Sequence, residues 1–158
     1  MNPARLITRF NLWLSRIPYS PVALLGRFAI AATFWTSGQT KIDGLAINIV
    51  NGEFSLGWPS LRPLAVILFR DEYRLPLIPP ELAATLAALA EHVFPLLLLL
   101  GLATRLSALA LLIMTLVIQL WVYPGAYAIH GVWATVLLLL MSRGAGICSC
   151  DHWLARRH

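Results

Sequence analysis

The sequence predicts an all-α membrane protein: a four-helix transmembrane bundle with an N-terminal amphipathic helix and a long first outer loop. Three observations predict it. Of 158 residues, 59% are hydrophobic and only 12% are charged, with a mean hydropathy of +0.75, outside the range of ordinary soluble domains. Four apolar runs, at about residues 20–40, 82–102, 106–123 and 126–141, approach the roughly 20 residues that a helix needs to cross the hydrocarbon core. Most of the cations that give the net charge of +5 flank these runs, which argues against a nucleic-acid-binding surface and fits a lipid bilayer as the main partner.

Each element has a local reason. In residues 1–17, Leu6, Phe10, Trp13, Leu14 and Ile17 recur at three- and four-residue spacing, with Arg5, Arg9 and Arg16 elsewhere on the surface, the pattern of an interfacial helix. Pro18 and Pro21 break it before the first span. No short apolar region with a cleavage site follows, so the first span is expected to be retained. The 42–81 segment is too long for a simple connector, and its apolar centre, residues 64–69, is too short to span; it is expected to form an outer cap. Residues 144–158 form a tail. The whole chain reads as one domain.

Arg5, Arg9, Arg16, Arg105, Arg143, Arg156 and Arg157 fall on one side if the four helices alternate. The positive-inside rule makes that side cytoplasmic and puts both termini there.

Three groups of residues carry candidate chemistry. Glu91 and His92 lie near the middle of the second run, with Pro95 just after; a carboxylate at that depth costs roughly 2.5–3.5 kcal/mol and calls for a partner, a cavity or a proton to carry. Pro95 also leaves the carbonyl of Glu91 without its helical donor. On the first span Arg27, Ala31, Phe34, Gly38 and Lys41 share one face. With 1.5 Å per residue, Arg27 comes about 10 Å from one end and Glu91 about 14 Å from the other. Across a core of about 30 Å this allows an Arg27–Glu91 pair, either functional or serving only to orient the helices.

The second group gathers toward the outer leaflet: Gln39, Lys41, Thr115, Gln119, Tyr123 and His130, with Glu91 and His92 just below, bordering a cavity for a hydrogen-bonding head group, a proton or a metal ion. The third is the terminal Cys148-Ser149-Cys150-Asp151-His152, in which Cys148, Cys150 and His152 offer soft ligands for copper or zinc or act as ordinary thiols beside a charged tail.

Taken together, Arg27, the Ser37-Gly38-Gln39-Thr40-Lys41 stretch, Glu91, Gly101-Leu102-Ala103-Thr104-Arg105 and the terminal Gly144-x-Gly146-x-x-Ser149-x-Asp151 resemble the DoxX family. The stretches Glu72-Tyr73-x-Leu75-Pro76 and Pro79-Pro80-Glu81 resemble its branch with a longer first outer loop. The resemblance implies a multi-pass protein of the bacterial inner (plasma) membrane, accessory to quinone-linked redox or to thiol and sulfur metabolism. It also leaves open a non-catalytic partner in copper-stress handling or protein docking. The expected ligands are then a quinone, bordered by Arg27, Lys41, Glu91, Gln119 and His130, and copper or zinc at the terminal thiols. No haem is expected, since no pair of histidines faces across two spans. A membrane or periplasmic protein partner is expected, and Gly26, Ala29, Ala32 and Gly38 on the first helix would suit a homodimer.

Overall fold

The computed structural model describes residues 3–48 and 52–157; residues 49–51 of the expected cap and His158 of the expected tail lie outside them. Helix α1 (Pro3–Leu14) has apolar residues along one face, and its Phe10 and Trp13 rings stack. It meets α2 (Tyr19–Gln39) at 62°, at the break that Pro18 imposes. A hairpin follows, β1 (Ile42–Asn48) against β2 (Glu53–Leu61), then α3 (Pro63–Leu68) with a π-helical turn over Phe69–Tyr73. Helix α4 (Pro80–Leu100) leads through Gly101 into α5 (Thr104–Val117), which is prolonged by a π-helical turn over Ile118–Val122. Helices α6 (Tyr127–Arg143) and α7 (Cys150–Ala155) complete the chain.

Three helical stretches, Pro80–Leu100, Thr104–Val122 and Pro124–Arg143, are each long and apolar enough to cross a membrane. Helix α2 joins them as a fourth only when counted with α1; Arg27 and the polar residues at its end lower its hydropathy. It nonetheless completes the bundle: α2 packs on α4 and α6, and α5 packs on the same two. Ile30, Phe34, Leu98, Leu111, Leu137 and Leu140 fill the centre.

The expected outer cap is folded and contains a sheet that an all-helical expectation lacks. Ile42 pairs with Leu61 and Asn48 with Glu53, antiparallel, with a bulge between Asp43 and Leu45 at Gly44, whose φ is +86°. The hairpin is tied to the end of α2. Trp35 Nε1 donates to the Ile47 carbonyl at 3.0 Å, and the Ile47 amide donates to Gln39 Oε1 at 2.8 Å. Beneath it, Phe69 packs on Ala83 and Ala84 of α4.

The register of α2 against α4 sets the position of every polar group. A Cβ added at Gly38 would lie 3.0 Å from Glu91 Cβ, and one at Gly101 would lie 2.9 Å from Arg27 Cζ. Gly38 is thus level with Glu91, and Arg27 with the end of α4. The first 11 residues of α4 therefore rise beyond α2, by about 16 Å at 1.5 Å per residue, and the cap packs against that projecting segment.

Candidate functional site

Glu91 is buried, and its partner is Lys41. Nζ of Lys41 lies 2.7 Å from Oε2 of Glu91, and both side chains are about 5% exposed (6% and 4%). Ser37 Oγ donates to Glu91 Oε1 at 3.1 Å. Lys41 Nζ also donates to the Ser37 carbonyl at 3.2 Å and to Ser37 Oγ at 3.1 Å. Lys41 follows the end of α2, so its flexible stem folds back along the helix to reach the carboxylate.

The Arg27–Glu91 pair that depth alone allowed does not form. Arg27 instead lies among backbone carbonyls: Nε donates to Leu98 at 2.7 Å, Nη2 to Leu99 at 2.7 Å, and Nη1 to Ala145 at 3.0 Å and Cys148 at 2.8 Å. Leu98 and Leu99 lie in the last turn of α4, where the Leu98 carbonyl also accepts from the Gly101 amide at 3.0 Å and where the helix dipole favours a cation. Arg27 thereby clamps the C-terminal segment to the bundle. Gly101 makes room for it, with a φ of +66° and a would-be Cβ 2.5 Å from Ser149 Cβ.

Around Lys41 and Glu91 lies a cavity of about 470 Å³ between α2, α4, α5 and α6, within the range that small-molecule ligands occupy. Its walls are largely apolar, among them Phe34, Ile113, Met114 and Trp133, with Thr33, Ser37, Tyr73, Tyr123 and His130 as the other polar residues. Hydrogen bonding fixes the tautomer of neutral His130. Gln119 Nε2 donates to the Pro124 carbonyl at 2.6 Å, so Gln119 Oε1 is the atom 2.7 Å from His130 Nδ1. Nδ1 therefore carries the proton, and Nε2 keeps its lone pair. Neutral His130 is an acceptor for a cavity ligand, not a donor.

At the rim Tyr123 donates to Glu72 Oε1 at 2.5 Å, and its ring meets Tyr73 edge-on at 5.8 Å. The hydrogen bond to Glu72 is the main force holding the Tyr123 phenol above its ordinary pKa, with burial and Tyr73 adding to it. Burial raises that of Tyr73, and its hydrogen bond with Tyr123 offsets this in part. Both phenols are neutral donors at physiological pH.

The sequence grouped more residues than the structure brings together. Lys41, Glu91, Tyr123 and His130 line the cavity. Gln119 supports it through His130. Arg27 is outside it, and so is His92, whose two ring nitrogens are committed to the Ala88 carbonyl at 2.6 Å and to Gln39 Nε2 at 2.9 Å. Because Gln39 Oε1 is taken by the hairpin, Gln39 donates to His92, which has no capacity left for a ligand. Cys148 and Cys150 are exposed free thiols, and among the described residues no three His, Cys, Asp or Glu side chains stand close enough to hold a metal ion. They and His152 therefore do not stand as a three-ligand group. The nearby Asp151 caps α5 instead, accepting from the amides of Ala103 at 2.7 Å and Thr104 at 2.9 Å. Of the four small residues expected on a dimer face, Gly26 and Gly38 pack inside the bundle against Val136 and His92, and Ala29 and Ala32 are exposed.

Sequence reasoning missed Ser37, Tyr73 and Glu72 as site residues. Ser37 precedes Lys41 by one helical turn, a spacing that carries the signal. Tyr73 and Glu72 depend on the fold of the cap, for which local sequence offers no comparable cue.

A family model described as DoxX matches residues 22–124, more than half of the chain. The chain belongs to the DoxX family. The DoxX match takes in Arg27, Lys41, Glu91 and the Gln119–Tyr123 turn, and it ends before His130 and the terminal segment. This DoxX protein is thus a membrane protein whose family-matched stretch supplies the buried ion pair. No curated protein and no solved structure matches the chain.

Proposed function

We propose that this DoxX-family protein binds a quinone head group in the Lys41–Glu91 cavity, as an accessory component of a quinone-linked redox system of the bacterial inner membrane. The observation that carries this reading is a cavity open among apolar walls with one buried ion pair set into it. A quinone has a flat apolar ring and two carbonyl acceptors, and its apolar tail suits a site between spanning helices. Lys41 would donate to one carbonyl, exchanging its bond to Ser37 for it. His130 Nε2 would accept from a quinol hydroxyl. Glu91 would exchange a proton with the bound ring, and Tyr73, Tyr123 and Glu72 would pass it to the rim. Two electrons and two protons separate quinone from quinol, and the electrons would pass to or from a redox protein partner. The outward apolar residues of β2, Phe54, Leu56 and Trp58, offer that partner a surface.

On this reading the ends of α2 and α6 that carry Tyr19, Arg143 and the terminal segment face the cytoplasm, the side that the positive-inside rule favours for the seven arginines. The test is to extract the detergent-purified protein and quantify quinone. Wild type should retain quinone, and Glu91→Gln, which keeps the shape of the side chain, should lose most of it. Equal retention would refute the assignment.

A further inference from the structure

At the end of the bundle away from the Lys41–Glu91 pair lies a second, more open cavity of about 680 Å³. It sits where α4 gives way to α5 and where α6 ends, at the ends of the three spanning stretches. Arg105 and Arg143 stand on its walls, and neither has an acidic partner among the ion pairs of the described residues. Arg143 lies over the ring of Tyr19, 5.7 Å from its centroid, and Tyr19 is itself anchored by donating to the Gly144 carbonyl at 2.6 Å. The one carboxylate on the wall, Asp151, is spent on the amides that begin α5.

Two further features point to a ligand. Thr104, which lines the cavity, is fully buried, yet its Oγ1 has no hydrogen-bond partner among the described residues. Leu106 and Ile147, also on the walls, are each 63% exposed. Two unpaired guanidiniums beside an exposed apolar rim, at the membrane boundary, make an amphipathic site whose charged part is positive.

We infer that this cavity holds the head group of an anionic phospholipid, with Arg105 and Arg143 on the phosphodiester and Leu106 and Ile147 against the start of an acyl chain. Guanidinium forks match phosphate oxygens bidentately. Basic pockets between spanning helices favour lipids of net negative charge. A zwitterionic head group would bring its ammonium up against the same two arginines.

The test uses the full-length protein purified in mild detergent and offered an equimolar mixture of phosphatidylglycerol and phosphatidylethanolamine, with bound lipid read by native mass spectrometry. Wild type should retain phosphatidylglycerol selectively, and Arg105→Gln/Arg143→Gln should reduce that retention about tenfold or more. Arg156→Gln/Arg157→Gln removes the same charge from the tail and should leave retention unchanged. In a second arm, glycerol 3-phosphate carries the head-group chemistry without acyl chains and should compete poorly. Strong competition by it would assign the cavity to a soluble phosphate ester and overturn the lipid assignment. Equal retention of the two lipids by wild type, a reading that needs no variant to fold, would overturn it as well. So would a tail variant that loses lipid as the cavity variant does.

Discussion

Lys41 Nζ and Glu91 Oε2 lie 2.7 Å apart with both side chains almost wholly buried, one from the end of α2 and one from the middle of α4. Removing one member of a buried pair leaves the other charge unpaired, which typically costs 3–5 kcal/mol, whereas replacing both by apolar groups of similar volume is often neutral or stabilising. Lys41→Met should therefore lower the thermal midpoint in detergent sharply, and Lys41→Met/Glu91→Leu should recover most of it. A double variant as unstable as the single one would mean that the pair holds the bundle together by its own attraction.

Arg27 should be needed for the terminal segment more than for the cavity. Its guanidinium makes four charge-assisted hydrogen bonds, two of them to Ala145 and Cys148 beyond α6. Each such bond is worth about 1.5–3 kcal/mol to lose. Arg27→Met should expose the stretch after Arg143 to limited proteolysis, read as cleavage near Ile147, while α4 and α5 stay protected. Uniform loss of protection would show that Arg27 holds the whole bundle.

The bundle was legible in the sequence because a spanning helix declares itself by length and apolarity, and the shared face of Arg27, Ala31, Phe34, Gly38 and Lys41 by spacing. All five are buried. The partner of Glu91 was not legible. Depth counted from span ends assumes that antiparallel helices end level, and here α4 overshoots α2 by 11 residues, so Arg27 meets the end of α4 and Lys41 meets Glu91. The hairpin escaped notice for a different reason. Its period-two alternation is interrupted at Gly44, Gly57 and Pro59, and its anchorage comes from Trp35 and Gln39 on another element. The terminal Asp151 could be singled out from sequence, but its task of capping α5 is a long-range contact.

Gly38 and Gly101 should tolerate little. At Gly38 an added Cβ would lie 2.7 Å from His92 Cε1, inside van der Waals contact. At Gly101 alanine would meet Ser149 and also occupy the left-handed region, which costs about 1–2 kcal/mol for a residue with a Cβ. Gly101→Ala should lower the thermal midpoint and loosen the terminal segment; Gly131→Ala, where an added Cβ meets nothing within 4 Å, should do neither. Equal effects at the two positions would contradict the close approach.

The Tyr123–Glu72 bond should be visible in alkaline titration. Because the folded protein holds the Tyr123 phenol above its ordinary value of 10.0, the contribution is complete below pH 10 and is lost as the pH rises past that value toward the raised one. Ultraviolet difference spectra should show a late-ionising phenol that disappears in Tyr123→Phe and ionises earlier in Glu72→Gln. An unchanged curve in Glu72→Gln would remove the carboxylate from the rim.

The cavity's occupant is tested most directly by titrating the detergent-purified protein with a short-chain quinone analogue and following tryptophan fluorescence, because Trp133 lines the cavity. Saturable quenching in wild type that is lost in the folded Lys41→Met/Glu91→Leu variant is the predicted result. Quenching that is absent from wild type, or that persists unchanged in the double variant, would contradict a quinone site at Lys41 and Glu91.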